Sequence, residues 1–209
     1  MLNVYLLRHG ETQWNADGNK YCGRTDIPLT KKGISQAELV HEQLRHIHLD
    51  AVYSSPLQRA LHTAQIASGK NEVITDERLI EFSFGNWEGK TKEEFIAEDP
   101  RLWDRWCNDP GSTKAGGTGE TAHEVVTRVN NFFEFLLKKF PSGNVLVVGH
   151  NGINRFYLAF KLSMQLKNYR RLVQQNSSIT MFSLDPQNGE LSLKLLNSLL
   201  SSPGQIITK

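Results

Sequence analysis

The stretch Val4–Asn15 reads VYLLRHGETQWN, an apolar run that turns abruptly into arginine, histidine and glycine. Val4 to Leu7 have the character of a strand buried on both faces, as the inner strands of a parallel sheet are. A polar cluster behind such a strand lies at the carboxyl edge of the sheet, where open α/β folds bind their ligands. The fold therefore turns on whether further runs of this type follow with helices between them.

AVYSS (51–55), EVIT (72–75) and NVLVVG (144–149) are short apolar or β-branched runs of strand length. Between them, Ile34, Ala37, Val40, Leu44 and Ile47 keep helical spacing, as do Leu57, Ala60, Leu61, Ala64 and Ala67. Pro56 is placed at a first helical position, and Thr91 with Glu94 and Thr121 with Glu124 read as capping boxes. A long helix follows from Ala122 through Val126, Val129, Phe133, Leu136, Leu137 and Phe140, stopped by Pro141 and Gly143. SITMFSLD and ELSLKLL around the turn PQNG read as a closing hairpin. The alternation predicts an α/β three-layer sandwich, with a mostly parallel central sheet and helices on both faces. The glycine-rich segment Asp109–Glu120 is expected to be a loop, either a lid or a surface connection.

The chain has 209 residues, 39% of them apolar and 22% charged, enough for one sizeable core; a single domain over 1–209 is the simplest reading. The net charge of +2 is spread without a basic block, which argues against nucleic acid as a partner. The opening MLNVYLLRHG lacks a basic n-region and a long apolar stretch, so a cytoplasmic protein without a membrane partner is expected. Cys22 and Cys107 stand far apart and are expected to be free thiols. His41, His46 and His48 are read as a solvated helix end, His62 and His123 as exposed helix residues, with His62 able to approach the site. Trp103 and Trp106, three apart on a helix, could stack on a flat group but are favoured as packing. No metal and no organic cofactor is expected, and the oligomeric state is left as monomer or homodimer.

The residues behind the four runs carry the chemistry. Arg8 and His9 follow the first, Arg59 the second, Glu81 the third by a short loop, and His150 the fourth. Taken singly, each has an ordinary structural explanation; their convergence on one sheet edge makes an anion site with an acid attached. Arginine suits phosphate because its planar fork donates two hydrogen bonds and keeps its charge. An imidazole among such cations stays neutral and is a nucleophile. On this reading His9 attacks phosphorus, Arg8, Arg59 and His150 hold the equatorial oxygens, and Glu81 moves the proton. The strand-end argument by itself does not choose between His9 and His150 as nucleophile.

RHGET with Asn15, then PLTKKG, SSPLQRALHTA, EFSFGNWEG, GET and VVGHNG in that order resemble the histidine phosphatase superfamily, the branch that includes phosphoglycerate mutases. The resemblance spans nearly the whole chain. It implies that His9 is the phosphorylated residue, that Arg8, Arg59 and His150 surround the phosphate, and that Glu81 is the proton donor. It also implies substrate contacts from Asn15, Asn151 and the backbone around Cys22 and Gly23. Mutases of that family carry an arginine and a His-Tyr pair directly after the glutamate, where this chain has Phe82, Ser83 and Phe84. An aromatic wall there favours water as acceptor, hence hydrolysis of a small phosphate ester. The alternatives are a bisphosphoglycerate-dependent mutase and a binding protein that turns nothing over. FGNWEG with WDRWCNDP looks most like the α-ribazole phosphatases, and more loosely like broad-specificity phosphatases of the same branch.

Overall fold

The computed structural model describes residues 1–199; the remainder of the expected 1–209 domain lies outside the described residues. Six strands form one sheet in the order β3-β2-β4-β1-β5-β6. They are β1 (Leu2–Arg8), β2 (Ala51–Ser54), β3 (Ile74–Thr75), β4 (Gly143–Gly149), β5 (Ile179–Leu184) and β6 (Leu191–Ser198). The first four run parallel, while β5 and β6 form the expected antiparallel hairpin along the β1 edge.

Both faces of the inner strands are covered, and their alternation shows why the runs are apolar throughout. Leu2, Val4, Leu6, Val145 and Val147 face one core, whereas Leu7, Leu146 and Val148 face the other. Helices α2 (Lys31–Leu44) and α3 (Gln58–Ser68) cover the second face through Val40, Leu44, Ala60, Ala64 and Ala67. Helices α6 (Ala122–Lys139) and α7 (Asn151–Lys161) cover the first through Val129, Phe132, Phe133, Phe156 and Tyr157. Shorter helices α1 (Gln13–Ala16), α4 (Lys92–Glu98) and α5 (Pro100–Asn108) lie between the main layers' connections. The capping boxes at Thr91 and Thr121 both form.

Three expectations change. EVIT contributes only Ile74 and Thr75, both exposed at the sheet edge, so it is not a strand buried on both faces. Pro56 precedes α3 instead of opening it, because Leu57 is the extended N-cap. The segment 109–120 is docked on the chain at 83–87 instead of running loose over the surface. Its Gly116 and Gly119 lie so close to the backbone of 83–87 that a Cβ would stand 2.2 Å from the Phe84 carbonyl and 2.1 Å from that of Ser83. Glycine is concentrated there because backbone docks on backbone.

A second close approach joins the first strand's loop to α2. A Cβ on Gly33 would sit 2.2 Å from the Glu11 carbonyl, and one on Gly10 would sit 2.5 Å from the Gly33 carbonyl. Gly33→Ala is therefore expected to cost about 2 kcal/mol and lower Tm by about 6 °C, measured by thermal unfolding. A change below about 2 °C would mean that this loop yields freely.

Candidate active site

The four parallel strands end on one edge, and the side chains behind them meet there. Arg8, His9, Asn15, Cys22, Glu81 and Asn151 line one cavity of about 270 Å³, together with Tyr21, Phe82, Phe84, Arg155, Tyr169 and Arg170. That volume sits at the small end for ligand sites.

His9 is buried, and its Nδ1 lies 2.7 Å from the Gly10 carbonyl. Burial, then the charges of Arg59 and Arg8, hold its pKa well below the ordinary imidazole value. The His150 ring stands 5.1 Å from it, centroid to centroid, at the N-cap of α7. His150 is wholly buried, and burial followed by the Arg59 charge likewise keeps it neutral. Burial pulls Arg8 down to about 10, so it remains charged at neutral pH. Its Nη1 donates to the Gln174 carbonyl at 3.0 Å.

Among the described residues, nine buried side-chain polar atoms have no partner, and four of them belong to Arg8, Arg59 and His150. Native interiors rarely leave such groups unused, and here they cluster on one anion-seeking set. Their chemistry fits phosphoryl oxygens.

Glu81 is held differently. Its Oε1 accepts from the amides of Phe82 and Ile153 at 3.0 and 3.1 Å, and its Oε2 from Gly152 at 3.0 Å. Burial nevertheless pushes its carboxyl above the ordinary range. With two bonds on Oε1 and one on Oε2, the latter keeps the lone pair that can take a proton. The strap around this carboxylate is an ion pair: Arg128 donates to the Ile80 carbonyl at 2.7 Å and to Glu120, and Glu120 accepts from the Ser83 amide at 2.8 Å.

Not every expected residue lines the cavity: His150, Arg59 and Gly23 stand outside the lining, His150 buried with its ring beside that of His9. Arg59 is fully buried and spends its Nη atoms on the carbonyls of Thr25 and Gly23 at 2.8 and 2.7 Å, leaving Nε unpartnered. It acts on the histidines through charge and fixes the 22–25 loop. Gly23 stands outside the lining, its amide bonded to Glu88 at 3.0 Å and its carbonyl to Arg59. Cys22 does line the cavity, but burial raises its thiol to about 11, so it is protonated. Asn15 lines the cavity while closing a capping box with Thr12 at the start of α1. Trp106 is buried against Phe82, and Trp103 packs on Trp87 and Phe95; neither lines the cavity. His62 lies instead beside His41 in a groove between α2 and α3. Among the described residues, no three histidine, cysteine or acidic side chains gather as metal ligands.

The largest omission from the sequence reading is Arg155 and Arg170. Phe82 and Phe84 do form an aromatic wall, yet these two cations enter the same cavity from α7 and the 3-10 segment Leu166–Arg171. Arg155 lies one turn beyond Asn151, a four-residue spacing that was available as a signal. Nothing in the spacing flagged Arg170.

The model of the histidine phosphatase superfamily (branch 1) matches residues 4–198. The chain belongs to that superfamily. Relatives named as phosphatases align over nearly all of it. Phosphoserine phosphatase 1 of Hydrogenobacter thermophilus is 34% identical over 197 residues, covering 93% of this chain and 92% of its own length. The adenosylcobalamin/alpha-ribazole phosphatase of Salmonella typhimurium is 34% identical over 203 residues, covering 94% and 96%. A solved mutant of an Entamoeba histolytica phosphoserine phosphatase, in complex with phosphoserine, superposes with a TM-score of 0.85 at 32% identity, covering 95% and 98%. No described helix is long and apolar enough to cross a membrane.

Proposed function

We propose that this protein hydrolyses a small phosphate monoester and carries the phosphoryl group on Nε2 of His9 between two displacements. The observation that carries this reading is the 2.7 Å contact of His9 Nδ1 with the Gly10 carbonyl. A carbonyl only accepts, so the proton sits on Nδ1 and Nε2 keeps its lone pair.

In the first displacement Nε2 bonds to phosphorus while the ester P–O bond breaks, and Glu81 gives its proton to the departing oxygen. In the second, water attacks phosphorus and gives its proton to Glu81, the P–N bond breaks, and His9 returns to its starting form. Arg8 and His150 supply donors to the equatorial oxygens, and Arg59 supplies field. The names of the relatives support water as acceptor, and they put phosphoserine and α-ribazole phosphate forward as candidate substrates. With Arg155 and Arg170 in the cavity beside Phe82 and Phe84, the aromatic wall no longer argues against a mutase, so hydrolysis rests on those relatives.

The test is to trap the intermediate with a labelled phosphate ester and quench in alkali or acid. A phosphoramidate survives alkali and decomposes in acid, so label with that behaviour in the wild type and absent from His9→Ala is expected. Turnover with no trapped label, or with acid-stable label, would overturn the reading.

A further inference from the structure

Arg155 and Arg170 have no place in the two displacements just described. Both line the cavity that holds Arg8, His9 and Glu81. Both are half-buried, and among the described residues neither forms an ion pair with a carboxylate. Lys20, the other cation in the lining, is already paired with Asp17 at 2.7 Å.

The two guanidiniums are held in place by aromatic rings. Arg155 lies 5.0 Å from the Tyr169 ring centroid, and its Nε donates to the Tyr169 carbonyl at 3.3 Å. Arg170 lies 4.4 Å from the Trp103 ring and donates to the Tyr169 hydroxyl at 3.0 Å. Ring stacking orients a guanidinium without consuming its charge, and leaves donors on its fork for a ligand. Neither an aromatic ring nor a carbonyl neutralises a cation. Arg8, Arg155 and Arg170 line the cavity, the charge of the buried Arg59 lies behind it, and Glu81 is the one carboxylate in the lining. A phosphoryl group balances only part of that excess. Like charges gathered with no acid between them cost stability in the free protein, and a second anionic group on the ligand offsets that cost.

We infer that Arg155 and Arg170 form a second anion subsite, which selects phosphate esters carrying a carboxylate on the same small molecule, such as a phosphorylated hydroxy or hydroxyamino acid. The inference rests on the phosphomonoesterase reading above and adds the substrate class to it. A carboxylate fits because its planar pair of oxygens matches the guanidinium fork.

The test compares kcat/KM on phosphoserine with that on phosphoethanolamine, which lacks only the carboxylate, and on α-ribazole phosphate. Phosphoserine is expected to lead phosphoethanolamine by about 10–100-fold in the wild type, the range for hydrogen bonds to charged groups. Arg155→Met and Arg170→Met are each expected to lose at least about ten-fold more on phosphoserine than on p-nitrophenyl phosphate, with Arg155→Lys recovering part of it. Equal losses on both esters, or a lead for α-ribazole phosphate, would overturn the subsite. If a methionine variant fails to fold, the wild-type comparison of phosphoserine with phosphoethanolamine decides alone. Stabilisation of the wild type against heat, greater by phosphoserine than by phosphoethanolamine, reads the subsite without turnover. An enzyme that binds this way yet releases no phosphate from any ester would leave the subsite standing and remove the hydrolase reading.

Discussion

His9→Ala is expected to lower kcat on every phosphate ester by about 10⁴-fold or more, with the fold preserved. The size of the effect follows from the route: without Nε2 no covalent intermediate forms, and the remaining cations bind phosphate without an acceptor for the phosphoryl group. The fold should survive because the ring's hydrogen bond is to the neighbouring residue, Gly10, and not to a distant element. Steady-state assays on aryl and alkyl phosphates, beside circular dichroism, check both halves. Residual activity above about 1% of wild type would remove His9 as nucleophile.

The same residue sets a pH dependence with a definite sign. Because burial, Arg59 and Arg8 depress the His9 pKa, Nε2 stays unprotonated well below the ordinary value of 6.5, and the acid limb of kcat/KM falls below that pH. Stability runs the other way. As pH drops through 6.5, the unfolded chain binds protons at His9 and His150 that the folded chain does not, so folding weakens. Glu81, whose folded pKa is raised above 4.5, adds stability that fades as pH rises above that value.

Glu81→Gln is the second large effect. On alkyl phosphates kcat is expected to fall by about 10²–10⁴-fold, and by much less on nitrophenyl esters, whose leaving group needs no proton. A glutamine amide also cannot copy the carboxylate's acceptors. Oxygen placed toward Phe82 and Ile153 turns the amide nitrogen toward the Gly152 N–H, donor against donor. A stability loss of about 1–3 kcal/mol is expected in consequence. The leaving-group dependence separates the two causes, since a structural defect would slow both esters alike. Equal losses would remove Glu81 as the acid.

Much of this site was legible because parallel strands impose a rule. A run apolar at every position must be covered on both faces, so the polar residue ending it has one edge to occupy. Arg8, His9 and His150 obey that rule through β1 and β4, and Glu81 follows through the loop after β3 despite that strand's being short and exposed. Arg59 was found for its position but not for its contacts: a helix start places the side chain, while the carbonyls of Gly23 and Thr25 that capture it come from more than thirty residues away. Asp109–Glu120 was visibly rich in glycine, yet only packing against 83–87 explains why.

The sequence by itself determined the sheet, its covering helices, the family and the charge at the strand ends, because hydrophobic period and strand-end position are local properties of the chain. Tertiary structure decided what the cavity recognises. Arg155 and Arg170 are ordinary arginines until α7 and the segment after it fold back beside Trp103 and Tyr169, where burial without an acidic partner gives them a use.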